Sequence, residues 1–338
     1  MEIKRIAVDT SKHVFTLVGV DDRGQVVMRR ELRRHQVEPY FKKQSPVEVV
    51  LEACGGSHHW GRTLLALGHQ VRLLPPQYVK PFVKRGKNDR HDAMAIAEAS
   101  GRPGLQPVAV KSAEQQAAAM LLSVRELLVK QRTQLANAMR GHAAEFGVIV
   151  GKGIGHAGAL VERVQNEPSM PEPAKAMISV LAAQFVALQV RIDELDRQIL
   201  AEHKANPVSR MLAEVPGVGP LGALTLALTV DAAQFRSARH FAAWIGLTPK
   251  EHSTGGKPRL GGISREGNER LRQLLVVGAM AVIKVAKPGR RSASKWLLQL
   301  LGRKPRRVAA VALANKMARI LWAMMRSGEA YRHAPVAG

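Results

Sequence analysis

The sequence predicts a mixed α/β region at the amino terminus, followed by a mainly helical remainder. Short apolar runs of the length of strands come first, at residues 3–9, 13–20 and 25–32. Beyond residue 112 the apolar residues recur instead at the spacing of one helix face. We therefore expect the fold class α/β plus α, with the helical part the larger.

The order of the predicted elements narrows the fold of the first region. A turn signal at 21–24 joins the second and third strands, so the first three strands should form an antiparallel meander. Helices and strands then alternate, with helices at 34–44, 55–67, 75–83 and 88–99 and strands at 47–52 and 70–74. This order is the pattern of a ribonuclease H-like fold.

Four carboxylates fall at positions where such a fold brings side chains together. Asp9 and Glu52 each end a predicted strand. Asp89 and Asp92 lie three residues apart, on one face of a helix that Asn88 would cap. As a set, these oxygen ligands suit one or two Mg²⁺ ions. Taken singly, each has a simpler interpretation as a turn cap, a paired buried acid or a solvated helix start.

The charge balance indicates a polyanionic partner. Lys and Arg total 51 against 27 Asp and Glu, a formal net charge of +24, and nucleic acid is the polyanion we expect. Aromatic residues make up only 4% of the chain, so phosphate contacts should outweigh base stacking. The alternative is a basic membrane-surface protein, but the sequence shows no strongly amphipathic basic helix with an aromatic face.

We expect no membrane partner and a cytoplasmic, nucleoid-associated protein. The longest apolar run, 274–283, is too short to cross a bilayer, and the N-terminus lacks the apolar core of a signal peptide. Cys54 is the single cysteine, which excludes an intramolecular disulfide and favours a reducing compartment.

The middle of the chain predicts long helices. Residues 112–145 form one, with Asn137 and Arg140 near its end as candidate contacts to nucleic acid. The apolar residues of 181–199 follow a heptad pattern. This pattern fits either an ordinary bundle helix packed against 112–145 or a coiled-coil arm used in oligomerisation or in holding nucleic acid, and both interpretations stay open. The connections predicted as loops are 151–158 and 168–173.

Residues 212–223 have the form of a helix-hairpin-helix motif, with a glycine-rich turn before the second helix. Backbone N–H groups at Gly217, at Gly219 and at the start of that helix can hold a phosphate. The alternative is a tight corner between two helices that binds nothing. The net charge favours the phosphate-binding interpretation.

A second concentration of polar residues is an open loop at 250–272 that contains a Ser-Thr-Gly-Gly segment. Its candidate nucleic-acid contacts are Lys250, Lys257, Arg259, Arg265, Asn268 and Arg272. The hydroxyl of Ser253 could attack a phosphodiester while these cations stabilise the developing charge. Because His252 is the only local candidate base, residue chemistry alone favours a phosphate-gripping loop without a nucleophile.

With these segments identified, the sequence resembles a known family over nearly its whole length. The family is that of the insertion-sequence transposases numbered one-hundred-ten, and within it the eleven-eleven subgroup. The residues that carry the resemblance are 7–12, 51–55, 87–93, 137–147, 216–219 and 246–268. Together these motifs are highly specific, although several of them alone would not be.

The resemblance implies a domain organisation and a metal site. It implies a RuvC-like DEDD nuclease domain at 1–110, a helical coiled-coil region at 111–206, and a C-terminal transposase domain with a catalytic serine at 207–338. The catalytic and metal-binding tetrad would be Asp9, Glu52, Asp89 and Asp92, and its ion Mg²⁺. Lys12, which belongs to the first motif, joins the candidate contacts to nucleic acid.

The resemblance also implies a mechanism and partners. Ser253 would attack DNA and hold it as a phosphoserine while strands are exchanged. A non-coding RNA from the element itself would guide the enzyme by pairing with both donor and target double-stranded DNA. The enzyme would work as a homotetramer, with the acidic cluster of one subunit acting with the serine of another.

Two other functions compete with an RNA-guided recombinase. One is a hydrolytic, structure-selective endonuclease that uses the same carboxylates with water as the nucleophile. The other is a non-catalytic nucleic-acid-binding scaffold built on the helix-hairpin-helix motif and the basic loops. Replacing Ser253 separates the first from the recombinase, and replacing Asp9 separates the second from both.

Overall fold

The computed structural model describes residues 2–83, 89–252, 254, 259–287 and 294–332, and for Asp89 and Arg90 the backbone alone. The chain divides into two compact units, Met1–Gln116 and Ala117–Gly338. The three domains expected from the sequence, with boundaries at 110 and 206, stay a prediction.

The first unit is built on a five-stranded sheet. Its strands are β1 (Arg5–Asp9), β2 (Val14–Val20), β3 (Val26–Arg33), β4 (Glu48–Glu52) and β5 (Gln70–Leu74). They lie in the order β3-β2-β1-β4-β5, where β2 is antiparallel to β1 and β3, and β4 is parallel to β1 and β5. The predicted meander is confirmed, and the turn between β2 and β3 is held by the Asp21 carboxylate, which accepts N–H bonds from Arg23 and Gln25.

Helices cover both faces of this sheet. They are α1 (Arg34–Lys42), α2 (Ser57–Ala66), α3 (Pro76–Val79) and α4 (Asp89–Ser100). α1 and α2 pack on one face and α4 packs on the other. The helix predicted at 75–83 is shorter than expected: it continues beyond Val79 only as a 3₁₀ turn over Lys80–Phe82, because Pro81 lacks the N–H that a further α-helical turn needs.

Helix α4 lies close to the sheet because its inner face is made of small residues. The side chains it buries there are Ala93, Ala95, Ile96, Ala97 and Ala99. Alanine favours the helix and allows the helix backbone to approach the strands. The prediction of a helix with a small apolar stripe is confirmed, and the position of its N-cap, Asn88, lies outside the described residues.

A cluster of ion pairs holds the C-terminal end of α4 over the sheet. The Glu48 carboxylate accepts hydrogen bonds from Arg5 Nε at 2.6 Å and from Arg72 Nη1 at 2.8 Å. Both guanidinium groups also donate to Ser100, the last residue of α4. Arg5 Nη1 donates to its Oγ at 3.2 Å, and Arg72 Nη1 donates to its carbonyl oxygen at 3.4 Å. Partial burial by itself raises the pKa of Glu48, but the hydrogen bonds and charges of the two arginines outweigh burial, so the pKa lies below its ordinary value of 4.5.

Replacing Glu48 with Gln should lower the free energy of unfolding by about 1–2 kcal/mol at neutral pH, because the arginines lose their charged acceptor. Since the pKa of Glu48 is lowered on folding, its contribution is present above the unfolded value of 4.5 and is lost as the pH falls through the folded value. Urea unfolding of both proteins at about pH 7 and about pH 3 measures the effect, and the difference should shrink in acid. An equal difference at both pH values would contradict the ion-pair explanation.

The second unit contains most of a long helical hairpin. Its helices are α5 (Ala113–Ala144), α6 (Ala157–Gln165) and α7 (Glu172–Ala205). α5 and α7 run antiparallel. Arg125 of α5 pairs with Asp196 of α7, and Arg132, about two turns further along α5, donates to Gln189, which lies earlier on α7. The predicted packing of 181–199 against α5 is therefore confirmed, and both the bundle helix and the coiled-coil arm stay open as its role.

The helix α6 has no counterpart among the predicted elements, and its start overlaps the loop expected at 151–158. Its apolar side is buried, with Leu160 and Val164 in one cluster with Met139 of α5. Gly153, Gly155 and Gly158 lie in or just before its first turn. Because glycine is typical of loops and disfavours helices, the sequence predicts a loop at this position.

The rest of the second unit is a helical core with a small β-ribbon. Its helices are α8 (Pro207–Leu212), α9 (Pro220–Thr229), α10 (Ala238–Trp244), α11 (Glu269–Val285), α12 (Lys295–Arg303) and α13 (Arg306–Ser327). The ribbon consists of β6 (Pro249–Glu251) and β7 (Leu260–Ile263). The sequence predicts only a loop there, because these strands are short and bury almost no apolar side chain.

In the part of the chain that the structure describes, two helices, α7 and α13, are long and apolar enough by composition to cross a membrane. Their sequences contain no apolar run as long as 274–283. Both have partners within the chain. α13 buries Ala314, Met317 and Leu321 in the core of the second unit. α7 carries Asp196, which pairs with Arg125 of α5.

Candidate active site

The carboxyl ends of β1 and β4 bring two acidic residues side by side. The strands are parallel neighbours, with Val8 opposite Leu51. Asp9 and Glu52 come next, and by the alternation of strand side chains they point to the α4 side of the sheet, as Ala7 does. Their Cα atoms are therefore about one strand spacing, roughly 5 Å, apart.

Helix α4 adds a third carboxylate at this edge. Burial first, and then the negative charge of Asp92, raise the pKa of Glu52 above its ordinary value of 4.5. The two carboxylates are thus close enough to repel each other. Asp89 begins α4 one turn earlier on the same helix face, and its side chain is outside the described part of the chain.

The position of Asp92 follows from the anchoring of α4. Asp92 precedes Ser100 by eight residues, which is about 12 Å along a helix. Glu52 follows Glu48 by four residues, which is about 13 Å along a strand. Because the arginine cluster fixes Ser100 at the Glu48 end, the start of the helix must lie over Glu52.

The acidic pair suits a divalent cation. Among the described side chains, which do not include Asp89, no three His, Cys, Asp or Glu residues are grouped so that they could hold a metal ion. Glu52 and Asp92 nevertheless provide the hard oxygen ligands that Mg²⁺ prefers. Burial and the negative charge of Asp92 raise the pKa of Glu52, and a cation bound beside Glu52 would offset both effects.

The strand register adds neighbours that sequence reasoning missed. Thr10 Oγ1 and Cys54 Sγ are 3.2 Å apart and hydrogen-bonded, which ties together the segments that follow β1 and β4. Across the sheet, Asp9 is opposite Thr16, and Thr16 is opposite Glu31. This row could not be identified without the register, because its members are far apart in the sequence.

The predicted serine loop connects the two strands of the ribbon. The His252 N–H donates to the carbonyl oxygen of Arg259 at 2.8 Å, which continues the pairing of β6 with β7 toward the tip. Ser253 and Lys257, both predicted site residues, lie outside the described residues. Thr254, next to the serine, is exposed.

Three of the predicted contacts on this ribbon are exposed cations: Lys250, Arg259 and Arg265. The backbone of Arg265 has a φ of 59°, in the left-handed region, and its N–H donates to the carbonyl oxygen of Gly246 at 3.2 Å. The flanks of the serine segment are therefore positively charged and open to solvent. A phosphate backbone would be attracted to this surface.

The base of the ribbon is a tight crossing of two backbone segments. Gly267 has a φ of 76°, and a Cβ at this residue would lie 1.7 Å from the carbonyl oxygen of Trp244. Arg272 Nη1 donates to the carbonyl oxygens of Ile245 at 2.8 Å and Glu266 at 3.0 Å. These contacts fix the direction in which the ribbon leaves the core.

Asn268 caps α11, because its side-chain oxygen accepts the Leu271 N–H at 3.0 Å. Asn268 and Arg272 thus use their polar groups inside the chain. The structure gives both residues a positioning role, and their contact with nucleic acid stays a prediction.

The two glycines of the helix-hairpin-helix motif have different surroundings. Gly217 has a φ of 90°, and a Cβ there would lie 2.7 Å from the carbonyl oxygen of Gly278 on α11. Gly217 is therefore needed for packing, a role that was not predicted from the sequence. Gly219 is exposed, precedes α9, and has open space where a Cβ would be, so phosphate binding stays a prediction on this side of the turn.

The remaining candidate contacts lie on the surface of each unit. Lys12 is exposed in the connection between β1 and β2. Arg140 donates to the side chain of Asn137 and to the carbonyl oxygen of Gly153 at 3.2 Å, so it closes the loop that follows α5. Binding of nucleic acid by these residues stays a prediction.

Two family models match this chain. Residues 6–147 match the model of the DEDD transposase domain of the IS110 type, described as a transposase. Residues 209–295 match a model described as the transposase IS116/IS110/IS902 family. The first match contains the acidic cluster, and the second contains the helix-hairpin-helix motif and the ribbon.

Similar proteins extend over almost the whole chain. A putative transposase y4pF/y4sB of Sinorhizobium fredii is 51% identical over 98% of this chain and 87% of its own length. A probable family 20 transposase of Pseudomonas aeruginosa is 46% identical, covering 98% and 99%. The transposase for insertion sequence element IS1111A of Coxiella burnetii is 39% identical, covering 98% and 92%. The chain therefore belongs to the IS110/IS116/IS902 family of insertion-sequence transposases, and its close homologues are IS1111 transposases.

Proposed function

We propose that this transposase cuts and rejoins donor and target DNA through a covalent phosphoserine at Ser253, with a non-coding RNA of its element as guide. The observation that carries the proposal is the meeting of Asp9 and Glu52 at adjacent strand ends, with Asp92 beside Glu52. Four carboxylates, with Asp89 as the fourth, hold one or two Mg²⁺ ions in this proposal.

We assign the first unit to the ribonuclease H-like, RuvC-like fold. Two features support the assignment: the strand order β3-β2-β1-β4-β5 and the antiparallel meander that leads into parallel strands. In such a sheet, side chains at the ends of the parallel central strands meet at one edge, which is where Asp9 and Glu52 lie.

Two parts of the chain carry out the proposed reaction: the acidic cluster, which would hold Mg²⁺, and Ser253, which supplies the nucleophile. Mg²⁺ supplies Lewis-acid stabilisation of negative charge on the phosphate oxygens. The Ser253 hydroxyl gives up its proton as its oxygen forms a bond to phosphorus. The bond from phosphorus to the leaving deoxyribose oxygen breaks, and that oxygen takes up a proton, so the step involves no net change in protons. Because the phosphodiester becomes a phosphoserine ester without hydrolysis, the reverse attack by a second DNA end rejoins the strands without ATP.

The ribbon fits the role of a DNA-gripping nucleophile segment. Lys250, Arg259 and Arg265 are exposed around it, and their positive charges attract a phosphate backbone. The closed base of the ribbon, with Gly267 at the crossing and Arg272 bridging it, fixes where strands β6 and β7 leave the core.

The proposal includes three kinds of partner: a guide RNA, two DNA duplexes and further copies of the chain. The net charge of +24 supports binding of a guide RNA together with two DNA duplexes, since each polyanion needs its own compensating surface. In the proposed homotetramer, the acidic cluster of one protomer acts with the serine of another. The assembly thereby brings together segments that belong to different copies of the chain.

A Ser253→Ala protein should lose cleavage of labelled donor DNA in the presence of Mg²⁺ and the element's transcript, by about a thousandfold or more, because the nucleophile is gone. Denaturing electrophoresis of the DNA products measures the loss. The matched control is Thr254→Ala, which removes the neighbouring exposed hydroxyl and should leave cleavage within about twofold.

Cleavage that survives in Ser253→Ala would favour the hydrolytic endonuclease, in which water attacks at the same acidic cluster. Cleavage lost only in Thr254→Ala would move the nucleophile by one residue. Wild-type cleavage that is equal with and without the transcript would reject the guide RNA while leaving the serine chemistry in place.

A further inference from the structure

We propose that a groove between α4 and strands β2 and β3 binds a single DNA strand next to the scissile phosphate. We call it the α4–β3 groove and define it by Thr16, Arg29, Phe82, His91 and Met94. The proposal rests on the proposed function, because the groove is assigned to the strand that the acidic cluster would cut.

The groove begins beside the acidic cluster. Thr16 of β2 forms part of its floor and is the direct cross-strand partner of Asp9. On the far side, β3 is the last strand of the sheet order, so the groove leads from Asp9 toward the open edge of the sheet. A strand whose phosphate lies at the cluster can continue into this space.

The acidic cluster and the α4–β3 groove lie on adjacent faces of helix α4. His91, Met94 and Glu98 line the groove, and their spacing of three and seven residues places them on one helix face. Asp92 lies on the adjacent face beside Glu52. The anchoring of this one helix therefore positions the carboxylate and the groove wall together.

The lining offers the chemistry that a single strand needs. Arg29 is exposed on β3 and can pair with a phosphate. The rings of Phe82 and His91 border the space and offer aromatic contacts to bases, and the Arg102 guanidinium, 5.4 Å from the centre of the Phe82 ring, adds a cation beside that ring. Glu31 and Glu98 also border the space, and carboxylates accept hydrogen bonds from exocyclic amino groups of bases. The groove has a volume of about 740 Å³, and its aromatic lining suits the accessible bases of a single strand better than the stacked pairs of a duplex.

Photo-crosslinking of the full chain to a short single strand of iodo-substituted deoxyuridine tests the groove, because this base reacts readily with aromatic, histidine and methionine side chains. The reaction is run in EDTA, so no DNA is cut. We expect crosslinks at Phe82, His91 or Met94, mapped by mass spectrometry. Arg29→Glu should reduce their yield by about fivefold or more, because one phosphate contact becomes a repulsion.

Arg23→Glu is the matched control, since it makes the same charge change at an exposed residue of the same hairpin, outside the groove. It should leave the yield unchanged. Phe82→Leu is a second variant that keeps the wall apolar and should remove the crosslink at that position. Crosslinks only outside the groove, equal losses in Arg29→Glu and Arg23→Glu, or stronger crosslinks with the corresponding RNA strand would overturn the proposal.

The outcome is separable from that of the proposed function. Groove crosslinks together with full cleavage by Ser253→Ala would reject the serine mechanism and keep the groove. Loss of cleavage in Ser253→Ala without groove crosslinks would reject the groove and keep the serine mechanism.

Discussion

An Asp92→Asn protein is expected to lose DNA cleavage by about a hundredfold or more, since even residues that only orient metal ligands commonly cost 10–100-fold. Asparagine keeps the size of the side chain and removes the negative charge. The pKa of Glu52 should then fall, because the negative charge of Asp92 no longer raises it. It should stay above its ordinary value, because burial, the larger cause, remains. Cleavage of labelled donor DNA with increasing Mg²⁺ measures the loss.

Asp22→Asn is the matched control for this variant. Asp22 is an exposed acid of the same unit, located in the turn between β2 and β3, and its replacement should leave cleavage unchanged. Nucleic-acid binding by Asp92→Asn should persist, because the basic surfaces are intact. Full cleavage by Asp92→Asn would remove this carboxylate from the active site.

The largest effect on stability is expected for Gly267→Ala. Its Cβ would lie 1.7 Å from the carbonyl oxygen of Trp244, and its φ of 76° is unfavourable for alanine. The backbone crossing at the base of the ribbon must therefore open. We expect a loss of about 3 kcal/mol or more in the free energy of unfolding, or a fall of about 6–12 °C in Tm.

Gly328→Ala separates the two causes of that loss. Gly328 ends α13 with a φ of 72°, and no packed neighbour from the described residues lies within 4 Å of the place that its Cβ would take. The substitution should cost only about 1 kcal/mol, from the left-handed backbone alone. Equal losses of Tm in the two variants, measured by differential scanning calorimetry, would show that the close approach to Trp244 contributes nothing.

Sequence patterns predicted the part of the fold whose determinants are local. The strands of the first unit are short apolar runs bounded by polar residues, and the turn at Asp21 has its own side-chain acceptor, so both could be predicted. α4 was recognised by its helix-start residues and its small apolar stripe. The meeting of Asp9 and Glu52 also followed, because each residue ends a strand.

The features that were missed depend on contacts between distant residues. Arg270 donates to Glu126 at 2.6 Å and to the carbonyl oxygen of Leu122 at 3.1 Å, which joins α11 to α5 across more than a hundred residues. No local pattern marks such a pair. The close approach of Gly217 to Gly278 and the row from Asp9 through Thr16 depend in the same way on packing and register.

The central claim, a covalent DNA–serine link, is tested most directly by trapping it. Labelled donor and target DNA are incubated with the wild-type protein, Mg²⁺ and the element's transcript, and the products are separated on a denaturing protein gel. We expect a DNA-linked protein band that needs the transcript, maps to Ser253 by mass spectrometry and is absent in Ser253→Ala. Free cleaved ends without such a band, unchanged in Ser253→Ala, would contradict the claim and would mean that water is the nucleophile.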